Sequence, residues 1–185
     1  SNYQHNDSFP GSHRLACGPL GYNGSKAAME LIARADVVLA LGTRLNPFST
    51  LPGYGIDYWP KTAKIIQVDI NPDRIGLTKP VAVGICGDAS QVARQILAQL
   101  SPSAGDQGRA ERKDLIHTSK SSWLQQLSSM DHENDDPGTS WNERARQRDP
   151  ERMSPRQAWR AIQAALPKDA IISSDIGNNC AIGNA

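Results

Sequence analysis

Late in the chain, Asp175-Ile176-Gly177-Asn178-Asn179 follows the apolar run Ala170-Ile171-Ile172-Ser173-Ser174 and precedes what reads as the start of a helix. A strand-to-helix turn at the carboxyl edge of a parallel sheet is where α/β folds receive ligands. Gly177 lets the backbone turn tightly and approach a bound group. The amides of Asn178 and Asn179, with the unpaired N–H groups of a helix start, suit a diphosphate. The same residues also suit an ordinary asparagine-rich helix cap. Chemistry alone leaves both readings open.

Two other clusters invite a ligand. Gly42-Thr43-Arg44 closes one expected strand and Asp69 closes the next. In doubly wound folds a glycine turn and an acid so placed can hold pyrophosphate and ribose. Here the spacing is long and no G-x-G-x-x-G follows the strand, so a turn residue and a strand terminator describe them better. Gly18-x-x-Gly21-x-x-Gly24 precedes a helix and could offer amides to an anion, or simply form a tight loop entering that helix. The loop holding Phe48, Tyr54, Tyr58 and Trp59 is unusually aromatic. Packing against a neighbouring domain or subunit explains it better than a ligand wall.

Histidines 5, 13, 117 and 132 form no metal or triad pattern. Cys17, Cys86 and Cys180 are isolated, which argues against a disulfide framework or zinc site and suits a reducing cytoplasm.

The elements that would position these residues alternate between helix and strand. Ser25 caps a helix with apolar positions Ala27, Ala28, Leu31, Ile32 and Ala35, opposite Lys26, Glu30 and Arg34. Val37 to Leu41 is a continuous apolar run, expected to be a strand buried on both faces. Ile65 to Val68 is a second strand, ending at Asp69 before Asn71-Pro72, and Val81 to Ile85 a third. Asp88 and Gln91 form a capping pair for a helix burying Val92, Ile96, Leu97 and Leu100. This alternation predicts an α/β fold with a parallel sheet flanked by helices.

Residues 101 to 108 are turn formers and read as a linker, followed by a helix to about Met130 with Ile116, Trp123, Leu127 and Met130 on its apolar edge. Residues 131 to 150 are polar and read as a surface wrap. A second unit then starts at Ser154 as cap, with Pro155 first in the helix and Gln157 completing a capping box. Ala158, Trp159, Ile162, Ala165 and Leu166 give its apolar face, and Ala170 to Ser174 the next strand. Three strands are few for such a sheet, and one helix and one strand cannot bury a core. The expectation is that the sheet lacks earlier strands and that the second unit is truncated, as in a piece of a longer protein.

The 20 basic and 19 acidic residues give a net charge of +1, leaving no electrostatic footprint for nucleic acid or an anionic membrane. The most basic stretch, Arg144 to Arg152, is interleaved with Asp149 and Glu151 and reads as a solvated face. No apolar run approaches the ~20 residues that cross a bilayer.

The run from Gly18 through Ala28, with Ala35-Asp36-Val37-Val38-Leu39-Ala40-Leu41-Gly42-Thr43-Arg44, Ile66-Gln67-Val68-Asp69-Ile70-Asn71 and Gly87-Asp88, resembles the central domain of thiamine-diphosphate enzymes of the acetolactate synthase type. Asn46 through Gly55, Met130 through Glu133, Met153 through Trp159 and Ser173 through Cys180 resemble one branch of that family, acetyltransferases acting on a sulfonated aldehyde and phosphate.

The resemblance implies three domains per subunit. Residues 1–100 would be the central domain, incomplete at its N-terminus, 101–153 an interdomain linker with one helix, and 154–185 the start of the thiamine-diphosphate-binding domain. It implies thiamine diphosphate and Mg2+ as cofactors, small-molecule substrates, a cytoplasmic homo-oligomer, and diphosphate contacts at Gly177, Asn178 and Asn179. The family's activating glutamate belongs to its first domain, and its magnesium motif is G-D-G. No G-D-G occurs here, and Gly87-Asp88 is followed by Ala89. No catalytic or metal-binding residue is therefore expected in these 185 residues, nor activity from them alone. The alternatives are another branch, such as an acetolactate synthase or a decarboxylase, and an ADP- or FAD-binding structural module. For residues 1–100, a spacer and subunit contact accounts for the pattern better than nucleotide binding.

Overall fold

The computed structural model describes residues 1–2, 5–101, 108–132, 153 and 155–173 of the 185. Two compact units divide the chain, residues 1–120 and residues 121–185.

The first unit is built on a three-stranded parallel sheet, β1 (Val37–Leu41), β2 (Lys64–Asp69) and β3 (Val83–Cys86), in that spatial order. Leu39 pairs with Ile66 and Ile66 with Val83, while Ala40 pairs with Gln67 and Gln67 with Gly84. Side chains alternate along a strand, so one face carries Val37, Leu39, Leu41, Ile66, Val68 and Val83. The other carries Val38, Ala40, Ile65 and Gln67. On this second face Ala40, Leu45 and Ile65 form a buried cluster with Val38, Trp59 and Val81 packed around it. Loop side chains, not a helix, close that side.

Three expectations need correction. β1 is not buried on both faces: Val37, Leu39 and Leu41 stay 50%, 44% and 40% exposed. The strand lies at the sheet edge, and α2 (Ala89–Gln99) packs along β2 instead. β3 starts at Val83, not Val81, because Val81 is drawn into the Ala40–Leu45–Ile65 cluster. On α2, Val92 and Ile96 are half-buried but Leu97 and Leu100 are exposed, because so narrow a sheet covers only one side of the helix. Its cap is as expected, with the Asp88 carboxylate accepting from the Gln91 amide at 2.9 Å.

α1 (Lys26–Ile32) begins where expected, the Ser25 hydroxyl accepting from the Ala28 amide. Its most buried side chain, Met29, lies off the expected stripe. Met29 packs beneath Gly53, where a Cβ would lie 3.0 Å from its methyl carbon, so the loop after β1 covers a second side of the helix.

α3 (Arg109–His132) crosses from the first unit into the second. In the second unit Trp123 and Leu127 are buried, as their spacing implies. α4 (Pro155–Ala165) has Pro155 in first position, while Ser154 lies outside the described residues. Its Ala158, Trp159 and Leu166 are half-buried and Ile162 is exposed. The strand expected over Ala170 to Ser174 does not form across residues 170–173. A strand needs a neighbour for its N–H and C=O groups, and none of the described residues pairs with it. Ile171 is 98% exposed.

Candidate functional site

The carboxyl edge of the sheet gathers three strand ends. After β1, Gly42 adopts φ 62° and its amide donates to the Val68 carbonyl at 2.8 Å. The Thr43 hydroxyl accepts from the Leu45 amide, holding Leu45 at φ 52°, a left-handed conformation strained for a branched side chain. After β2, the buried Asp69 accepts from the Asn71 amide at 2.9 Å, and Asn71 caps a 3-10 turn, Pro72–Arg74. After β3, the Gly87 amide donates to the Asp69 carbonyl at 3.0 Å and Asp88 starts α2. Gly42, Arg44 and Asp69 thus reach one edge, as their sequence positions require. Asp69 caps its own turn, and a Cβ at Gly42 would meet Ala89 of α2 at 3.4 Å. These are the contacts of a turn residue and a strand terminator.

Gln67 beneath this edge was not legible as a site residue. It is buried to 1% exposure, and its side-chain amide donates to the carbonyls of Thr43 (3.0 Å) and Arg74 (3.2 Å). Its oxygen accepts from the Gly76 amide at 2.9 Å. The signal was a single polar residue between Ile65-Ile66 and Val68, since a buried amide must find partners for both ends.

The glycine loop is explained by packing. A Cβ on Gly21 would lie 2.3 Å from the Phe48 carbonyl oxygen, and one on Gly24 2.6 Å from that of Pro19. The Tyr22 amide donates to Phe48 at 2.9 Å, and the Tyr54 hydroxyl donates to Gly24 at 2.9 Å. The loop therefore docks against the turn Pro47–Thr50, which Asn46 caps, and α1 is too short to present an anion site. Of the aromatic loop, Tyr58 is fully buried, Trp59 half-buried beneath Lys79 Nζ at 5.0 Å, and Phe48 and Tyr54 are exposed. Burial pushes the Tyr58 phenol up. The Gly21 backbone pulls the other way, but no contact of the Tyr58 hydroxyl meets hydrogen-bond geometry among the described residues.

A cavity of 880 Å³ is lined by Leu15, Cys17, Leu31, Ile32, Val37 and Ile116, among others. Burial pushes the Cys17 thiol up, with Lys120 pulling the other way, so the sulfur is a poor nucleophile. His13 stacks edge-on with Phe9, and its ring nitrogen accepts from the Leu15 amide. Among the described residues no three His, Cys, Asp or Glu gather in a metal-binding group, and no helix is long and apolar enough to cross a membrane. Gly177, Asn178 and Asn179, with Cys180, lie outside the described residues.

Residues 1–96 match the family model described as thiamine pyrophosphate enzyme, central domain. The chain belongs to the thiamine pyrophosphate enzymes. The parallel sheet and its loops are thus part of that family's central domain. The chain is 81% identical to a protein of Rhizobium meliloti (strain 1021) named "Probable sulfoacetaldehyde acetyltransferase", over 99% of this chain and 31% of that protein. It is 79% identical to the sulfoacetaldehyde acetyltransferase of Roseovarius nubinhibens, over 99% of this chain and 30% of that protein. The large subunit of Escherichia coli (strain K12) acetolactate synthase isozyme 3 is 29% identical over 92% of this chain and 26% of its own length. The chain spans about a third of the length of the first two relatives.

Proposed function

We propose that this chain serves a sulfoacetaldehyde acetyltransferase, which converts sulfoacetaldehyde and phosphate to acetyl phosphate and sulfite in the cytoplasm. The observation that carries the reading is identity of 75–81% along 99–100% of the chain to proteins named for that activity. Identity to the acetolactate synthase subunit is 29%. Thiamine diphosphate, with magnesium, supplies the carbanion chemistry when bound. The residues we assign to its diphosphate are Gly177, Asn178 and Asn179, by their match to the family's first strand-to-helix turn. The remainder of the chain orients and supports: residues 1–100 form a structural domain, and the exposed Phe48 and Tyr54 of the aromatic loop meet a neighbouring domain or subunit of a homo-oligomer.

The test is substrate choice by an enzyme of the relatives' full length carrying this sequence. Consumption of sulfoacetaldehyde only when phosphate is present supports the reading. Conversion of pyruvate to acetolactate, with sulfoacetaldehyde untouched, assigns the chain to the acetolactate synthase branch.

A further inference from the structure

We infer that Gln67 couples the loop after β1 and the turn after β2 into one mechanical unit at the carboxyl edge of the sheet. Its amide spends both N–H groups on different segments, the Thr43 carbonyl and the Arg74 carbonyl, and its oxygen holds the Gly76 amide. The pin is buried, so water does not compete for these bonds. A second tie lies further along: the Thr78 hydroxyl shares its proton between the carbonyls of Leu45 (2.9 Å) and Arg44 (3.0 Å). Neither segment belongs to the sheet ladder, and loops without such ties open locally and independently. With them, a displacement of Thr43 is passed to Arg74 and Gly76 unless the Gln67–Thr43 bond breaks. Exposed Arg44 and Arg74, one on each segment, therefore shift as a pair. The coupling does not depend on which substrate the enzyme takes.

Residue-resolved hydrogen exchange on an enzyme of the relatives' full length carrying this sequence tests the coupling. Thr43→Val removes the acceptor for the Leu45 amide and touches the first loop only. Coupling predicts that the amides of Leu45 and Gly76 both exchange about fivefold faster, as expected for one lost hydrogen bond. The Met29 amide inside α1 should not change. With Gln67→Leu as background, the same Thr43→Val change should accelerate Leu45 as before and Gly76 markedly less, since only the Thr78 tie remains. If Thr43→Val leaves Gly76 unchanged, the two segments are independent and the inference fails. Equal acceleration at Met29 also overturns it, because that is general loosening. Should Gln67→Leu not fold, Thr43→Val alone decides.

Discussion

The Tyr54 hydroxyl donates to the Gly24 carbonyl at 2.9 Å across thirty positions of sequence, fastening the aromatic loop to the glycine loop that leads into α1. Gly21 sits at the same junction with φ 94° and no room for a side chain, because the Phe48 carbonyl would lie 2.3 Å from its Cβ.

Gly21→Ala should therefore cost at least about 3 kcal/mol, since backbone, not a flexible side chain, must move. Gly55 also has positive φ, at 71°, but nothing lies within 4 Å of its Cβ position. Gly55→Ala should cost only about 1 kcal/mol, from conformational strain alone. Urea denaturation of both variants checks this. Equal losses would show that the close approach at Gly21 has no energetic weight.

Tyr58 carries a buried hydroxyl without a partner, so Tyr58→Phe should be neutral or stabilising by up to about 1 kcal/mol at pH 7. The pH dependence has a definite sign. Burial raises the folded phenol above its ordinary value of 10.0, so the neutral form favours the native state. That contribution is complete below pH 10 and is lost as pH rises through the higher folded value. Wild type should lose stability in this alkaline range by an increment absent from Tyr58→Phe. Parallel pH–stability curves for the two proteins would contradict the assignment.

Much of the first unit was legible because its signals are local. Ser25 and Asp88 cap helices by side-chain bonds that sequence spacing implies, and Asp69 and Asn71 stop β2 in the same way. What sequence could not give were relations between distant segments. Met29 is buried by a loop around Gly53, Gln67 by loops on either side of β2, and Gly21 is required by a carbonyl of residue 48. β1 misled because a continuous apolar run implies two covered faces, while coverage is decided by what packs there. Ala170 to Ser173 misled because an apolar run makes a strand only where a neighbour offers a ladder.

The open face bearing Val37, Leu39, Leu41 and Val83 should drive self-association of the chain. Leu39→Lys, at a position already 44% exposed, should reduce association while keeping the fold. Light scattering and circular dichroism measure the two properties. A monodisperse wild-type chain would show that this face needs no cover.

Asn178 and Asn179, as proposed diphosphate contacts, should each lose about ten- to hundredfold in cofactor affinity on replacement by Ala, from roughly 1.5–3 kcal/mol per hydrogen bond to a charged group. Replacement by Asp should be worse, because it sets a negative charge beside the diphosphate. Titration of thiamine diphosphate into full-length variants, with Asn6→Ala as control, is the check. Unchanged affinity in both Asp variants would leave this turn as a helix cap only.

The most direct measurement is of products from the full-length enzyme supplied with thiamine diphosphate, magnesium, sulfoacetaldehyde and labelled phosphate. The expected products are labelled acetyl phosphate and sulfite in equal amounts, with neither formed when phosphate is withheld. Sulfite without labelled acetyl phosphate, or turnover of pyruvate alone, would contradict the proposed function.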